Sequence, residues 1–251
     1  MSNIISIHSF RGGTGKSNTT ANLAYQIAAS GKRVGVVDTD IQSPGIHVLF
    51  GLDEGKLNHA LNDYLWGNCA IEQTAYDVTA NIDPNMRGQL FLVPSSIKVG
   101  EIARVMREGY DVGLLNEGFR QLISALNLDV LMIDTHPGLN EETLLSIAVS
   151  DTLVVVLRPD QQDFQGTGVT LEVARKLDVP NLILMVNKVP NVYDPLEVKA
   201  RVEQAFNSRV GEVIPHSDAL MALASEGIFS QKFPDDPVSL KLKQLAASLV
   251  A

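Results

Sequence analysis

The sequence predicts an α/β fold: a mostly parallel, doubly wound sheet flanked by helices, in one domain spanning 1–251. Three observations predict it. Short β-branched apolar runs alternate with longer amphipathic stretches, the pattern of strands joined by right-handed helical crossovers. Most of the runs are apolar on both faces, which suits strands covered by helices on both sides. No internal repeat, low-complexity tract or Ser/Gly linker divides the chain.

The elements follow in order. The run NIISIH (3–8) leads into a glycine-rich loop and a helix over 16–30; RVGVVD (33–38) is the second strand. The segment 51–88 breaks the pattern. It is irregular and rich in Asn and Asp, with only a short helix expected near 56–65. Strands resume with QLFLVP (89–94), DVLMID (129–134), TLVVVL (152–157), NLILMV (181–186) and GEVIP (211–215). The stretches 97–108, 113–127, 139–149, 163–178, 195–207 and 238–250 are the remaining helices. In parallel sheets ligands bind outside the carboxyl ends of the strands, so the chemistry is sought in the loops that follow them.

Composition removes several functions. The first apolar run is too short for a signal peptide and is followed by a polar glycine loop, so the expected location is cytoplasmic. No stretch reaches the roughly 18–20 apolar residues of a membrane span. Cys69 is the single cysteine of the chain, which excludes an internal disulfide and any multi-cysteine metal or iron–sulfur site within one chain. The net charge of −9 and a pI of about 5.0 disfavour nonspecific attraction to nucleic acid.

GGTGKS (12–17) opens the first helix. Glycines let the backbone wrap closely and turn N–H groups inward, and the helix adds its positive end, so phosphate is favoured. Gly12, Gly13, Thr14, Gly15, Lys16, Ser17 and Asn18 form the expected nucleotide cradle. Lys16 reaches the β- and γ-phosphates and the Ser17 hydroxyl is placed to hold Mg²⁺. The second strand ends VVDTDIQSPG, which puts Asp38 and Asp40 at the same sheet edge. Asp40 is placed to orient a water against the γ-phosphate; Asp38 tunes the Mg²⁺ water or the loop. Asp134, ending LMID, fills the role of a Walker-B acid toward Mg²⁺. Pro137 and Gly138 form a bend able to sense the γ-phosphate, and His136 within it reads as structural or merely exposed, because phosphoryl transfer relies on positioning and electrostatics. Asn187 can pair with the edge of adenine, and the backbone around Pro215 flanks the base.

Together RGGTGKS, DTDIQSPG, DTHPG, VNK and VIP, in this order and spacing, resemble the MinD/ParA family of deviant Walker-A P-loop ATPases over essentially the whole chain. The resemblance implies a single-domain P-loop NTPase that hydrolyses ATP with Mg²⁺, slowly and with stimulation by a partner. It further implies a homodimer with ATP sandwiched at the interface, and an activator or cargo-adaptor protein. The family's loop begins with a signature lysine that touches the partner's phosphates; Arg11 stands at that position here. A guanidinium keeps the charge but is longer and planar, so Arg11 is expected to bridge to the partner's nucleotide.

Branches of the family separate on chemistry. Nitrogenase-type iron proteins, cluster carriers and tail-anchor targeting factors need cysteines that this chain lacks. The terminal VSLKLKQLAASLVA carries only Lys241 and Lys243 and no aromatic anchor, so it reads as a packed helix rather than a membrane-targeting one. From 195 to 251 six Lys/Arg face seven Asp/Glu, no basic stripe, so nonspecific DNA is disfavoured as a partner. The expected function is a switch that positions or segregates cargo. The alternatives are an ATP-gated scaffold or DNA-binding partition protein with little intrinsic hydrolysis, and an ATP-dependent metabolic ligase.

Overall fold

The computed structural model describes residues 2–53, 55 and 57–251. Eight strands form one sheet: β1 (Asn3–His8), β2 (Arg33–Asp38), β3 (Tyr76–Asp77), β4 (Gln89–Val93), β5 (Val130–Asp134), β6 (Thr152–Leu157), β7 (Asn181–Val189) and β8 (Arg209–Pro215). Their spatial order is β3-β4-β2-β5-β1-β6-β7-β8. Every pairing is parallel except β3 with β4. All five residues of β5 and all six of β6 are buried. That is the two-sided burial expected of runs with no polar face.

Seven helices of eight or more residues cover the sheet among the described residues: α1 (Lys16–Ala29), α2 (Val99–Glu108), α3 (Val112–Leu126), α4 (Glu141–Ala148), α5 (Gln161–Lys176), α6 (Pro195–Phe206) and α7 (Pro237–Leu249). Local chemistry sets their ends. Asp160, Asp194 and Asp236 cap α5, α6 and α7 by accepting from N–H groups of the first turn, and proline opens the last two. Asn127 and Asn207 close α3 and α6 in the left-handed conformation that asparagine tolerates. One core cluster joins α1 and α7 to the sheet through Leu23, Ile27, Leu242 and Leu245; on the other face Leu115, Phe119 and Leu122 of α3 pack over β2 and β5.

The segment 51–88 departs from expectation. The expected helix near 56–65 begins at Lys56, outside the described residues, and the observed helix is Leu61–Leu65. Residues 57–60 are held out of it by the Tyr76 hydroxyl, which donates to His59 O (2.7 Å) and accepts from His59 N (3.0 Å), and by Asp63, which accepts from Ala60 N at 2.9 Å. The segment also supplies β3, a two-residue antiparallel edge, and a short helix, Thr79–Ile82. None of the helices is long and apolar enough to cross a membrane, among the described residues.

Because the strands are parallel, the loops after β1, β2, β5, β7 and β8 emerge along one edge. Register fixes their relative height. Ile7 of β1 and Asp38 of β2 both pair with Asp134 of β5, so three chain exits converge at one level.

Candidate functional site

The loop after β1 is built on left-handed glycines: Gly13 at φ 79° and Gly15 at φ 94°, the latter immediately before α1. A side chain at Gly15 would also place its Cβ 2.5 Å from Asn187 Nδ2. At Gly12 and Gly13 the space where a Cβ would sit is open to 4 Å, which leaves the backbone free to be approached. A cavity of about 220 Å³ lies over the loop, lined by Ser9, Gly12, Gly13, Thr14, Gly15, Lys16, Ser17, Asn18, Asp40 and Pro137. The positive end of α1 faces the phosphate loop that precedes it. A larger cleft of about 400 Å³, lined by Tyr25, Ser30, Arg87 and Lys243, sits at the opposite end of α1, away from these groups.

Beneath the loop lies a buried charged cluster. Lys16 Nζ donates to Asp134 Oδ1 at 3.1 Å, and the Thr20 hydroxyl donates to the same oxygen at 2.8 Å. Asp38, at the same register on the neighbouring strand, is fully buried; its Oδ1 accepts from Asp40 N at 3.0 Å and its Oδ2 has no partner among the described residues. Burial, reinforced by the Asp134 charge, pushes Asp38 up to about 8. Near neutral pH Asp38 therefore keeps its proton while Lys16 pairs with Asp134, and an arriving cation would displace that proton and make Asp38 a second anionic oxygen ligand. Orphaned Asp38 Oδ2, acidic Asp134 and the half-buried Ser17 hydroxyl are the all-oxygen donor set Mg²⁺ takes beside phosphates. The residues present therefore fit a magnesium–triphosphate.

Asp40 and Asp38, two apart in sequence, do not look the same way. Asp40 lies beyond the strand end and lines the cavity, whereas Asp38 stays below it. Asp40 Oδ1 accepts from His136 Nδ1 at 2.7 Å. That hydrogen bond to Asp40 raises the pKa of His136 against the opposing effect of burial. His136 stands in the bend after β5, which is tied to the first loop where Gly138 N donates to Ser9 O at 3.1 Å.

On the other flank β7 carries Asn187 and Lys188. Asn187 is buried, and its Nδ2 donates to Thr14 O at 2.8 Å while its Oδ1 accepts from Lys188 N. The amide expected at the base edge is thus also a strut of the phosphate loop. Lys188, at φ 56° in a bulge of β7, donates from Nζ to Gly13 O at 2.8 Å. Pro215 pairs with Val189 at the end of β8, which brings it to the same edge as Asn187. Arg11 is exposed, with its carbonyl accepting from Ser9 Oγ at 2.8 Å.

All the expected residues therefore gather along one sheet edge. Several contacts within it lie beyond sequence reasoning, among them the Asn187–Thr14 and Thr20–Asp134 bonds. The tie between His136 and Asp40 joins residues 96 apart, and no local spacing announces it. The Lys188 strut depends on a bulge, for which a positive-φ lysine gives no sequence signal.

The family model described as AAA domain matches residues 2–181. An uncharacterized ATP-binding protein of Methanocaldococcus jannaschii is 28% identical over 98% of this chain and 87% of its own length. The flagellum site-determining protein YlxH of Helicobacter pylori is likewise 28% identical, over 98% of this chain and 81% of its own. Among solved structures, the septum site-determining protein MinD of Pyrococcus horikoshii, complexed with Mg-ADP, superposes with a TM-score of 0.81 at 22% identity, covering 99% of this chain and 96% of that one.

Proposed function

The chain belongs to the AAA domain family, with MinD/ParA ATPases among its relatives, and from that membership we propose that it is an ATP-hydrolysing switch that dimerises around MgATP to position cellular cargo. One observation carries the reading: the glycine loop, Asp40 and Lys16, itself held from below by Asp134, line a single cavity of about 220 Å³.

The steps follow from these residues. Gly12 to Ser17 wrap the phosphates with backbone N–H groups. Lys16 exchanges Asp134 for the β- and γ-phosphate oxygens, which keeps its charge paired throughout. Ser17, Asp134 and Asp38 would hold Mg²⁺, which neutralises phosphate charge as the terminal bond breaks. Asp40 orients the attacking water from the cavity wall. Asn187 and the backbone at Pro215 flank the base. Exposed Arg11 reaches the partner's phosphates, which makes closure dependent on the triphosphate. Hydrolysis is slow alone, is stimulated by an activator or cargo adaptor in the cytoplasm, and releases the dimer.

The ligase reading has one supporting feature. A cleft of about 250 Å³ lined by His59, Asp63, Ser96 and Lys98 lies next to Ser95, which donates to Asp38 O. Phosphate release from MgATP with no added small molecule argues for the switch and against the ligase. Calorimetry with ATP and Mg²⁺ tests binding, and Lys16→Ala is expected to weaken it by tenfold or more, about the worth of one charged hydrogen bond. Asp40→Ala is expected to bind normally and lose turnover; an undiminished rate removes Asp40 from the mechanism.

A further inference from the structure

The hydrolysis reading assigns Asp40 a task that demands geometry, since a carboxylate that orients water must present one oxygen at a fixed place. The backbone of Asp40 is already held. Thr39 donates to Asp134 O from its N (2.9 Å) and its hydroxyl (3.0 Å), and Asp40 N donates to Asp38 Oδ1. These bonds leave the side-chain torsions of Asp40 free. The contact that fixes them comes from a different loop: His136 Nδ1–H on Asp40 Oδ1 at 2.7 Å, both side chains mostly buried. A carboxylate only accepts, so Nδ1 carries the proton.

His136 is itself well anchored. Its carbonyl accepts from Thr143 Oγ1 at 3.3 Å. The preceding Thr135 is tied to β1 through Thr135 N on Ile7 O (3.3 Å) and its hydroxyl on the same oxygen (3.0 Å). The following Pro137 lines the phosphate cavity. The ring therefore connects the bend over the phosphates to the carboxylate that faces them.

We propose that His136 is a positioning residue for Asp40: its Nδ1–H occupies Oδ1, orients the carboxylate, and leaves Oδ2 to hold the attacking water. This rests on the hydrolysis reading. His136 touches neither water nor phosphate in this role and acts through Asp40. Because Pro137 and His136 are consecutive, the same ring makes the aim of Asp40 depend on the position of the phosphate-facing bend. Departure of the γ-phosphate then disarms Asp40 together with the bend.

The test is steady-state phosphate release by the full chain with MgATP, resolving kcat from KM. His136→Ala is expected to lower kcat about tenfold, the scale of one hydrogen bond to a charged group, with KM held within about twofold. His136→Leu, which fills the space of the ring without a donor, is expected to behave like His136→Ala and serves if the alanine variant does not fold. His136→Asn, whose Nδ2 stands near the place of Nδ1, is expected to recover most of the lost kcat, a rescue that a space-filling role would not give. In an Asp40→Ala background, His136→Ala is expected to cost nothing further. Three results overturn the proposal while leaving hydrolysis by Asp40 intact: wild-type kcat in His136→Leu, equal losses in the Leu and Asn variants, or losses that multiply in the double variant. A wild type that binds MgATP without turnover, or a fully active Asp40→Ala, overturns the hydrolysis reading and this proposal with it.

Discussion

His8 shows what burial does to a single titratable group at this edge. Its Nδ1 lies 2.8 Å from the Thr135 hydroxyl, and its Nε2 is buried without a partner among the described residues. The Thr135 hydroxyl spends its own hydrogen on Ile7 O, so His8 Nδ1–H donates and Nε2 is the bare acceptor. Burial first, then the charges of Lys16 and His136, pushes His8 down to about 3. The unfolded chain takes up a proton near the ordinary histidine value and the folded one does not. Stability held above about pH 6.5 is therefore lost as pH falls toward 3, by about 1.4 kcal/mol per pH unit. His8→Asn keeps a donor toward Thr135 and removes the titration. Urea unfolding at about pH 7.5 and about pH 5.5 should show the wild type losing roughly 1 kcal/mol more than this variant between the two. An equal loss in both means that His8 takes up its proton as readily in the folded chain as in the unfolded one.

At the scale of elements, the turn from α1 into β2 is gripped by a glycine from a distant part of the chain. Gly88 N donates to Ala28 O at 3.0 Å, and Gln89 N to Lys32 O at 3.1 Å. A Cβ at Gly88 would run into the carbonyl oxygens of Lys32 and Ala28, and backbone cannot step aside as a side chain can. Gly88→Ala is expected to cost about 1–3 kcal/mol, the range for forced overpacking, and to lower Tm by about 2–4 °C for each of them in a chain of this size. Gly100→Ala, in the first turn of α2 with open space around it, is the contrast and should be neutral or slightly stabilising. Gly88 marks the end of the segment the sequence left least legible. The strands bounded by apolar runs were readable because burial on both faces leaves no polar position to confuse the pattern. β3 was not: two residues, Tyr76 and Asp77, paired only with Leu92 and Phe91, are too few to show any period. The start of the short helix at 61–65 was not legible because the residues that hold His59 and Ala60 out of it, Tyr76 and Asp63, come from later in the chain.

For the whole molecule, the gathering of the exits at one sheet edge was legible, since glycine loop, acidic strand tips and asparagine each follow an apolar run and parallel topology brings such ends together; their lateral order was not. Contacts between exits were not. His136 reaches Asp40 across 96 residues of sequence, and nothing short of the three-dimensional register supplies that pairing. The exposed guanidinium at the front of the loop belongs to this scale as well. If Arg11 bridges two subunits, Arg11→Ala should bind MgATP by calorimetry yet remain monomeric by light scattering, where the wild type doubles its mass. Dimerisation unaltered in the variant removes the bridge and leaves Arg11 a neutraliser of its own phosphates.

Asp38 and Asp134 stand at the same register on neighbouring strands. Their separation is a property of the ladder, about 4.8 Å between neighbouring strands, and owes nothing to the turns that follow. Insertions or deletions beyond residues 40 and 136 would redraw the outer rim while leaving the inner carboxylates at the same spacing. A scaffold arranged this way can exchange its outer rim while the spacing of the two inner acids is carried over unchanged.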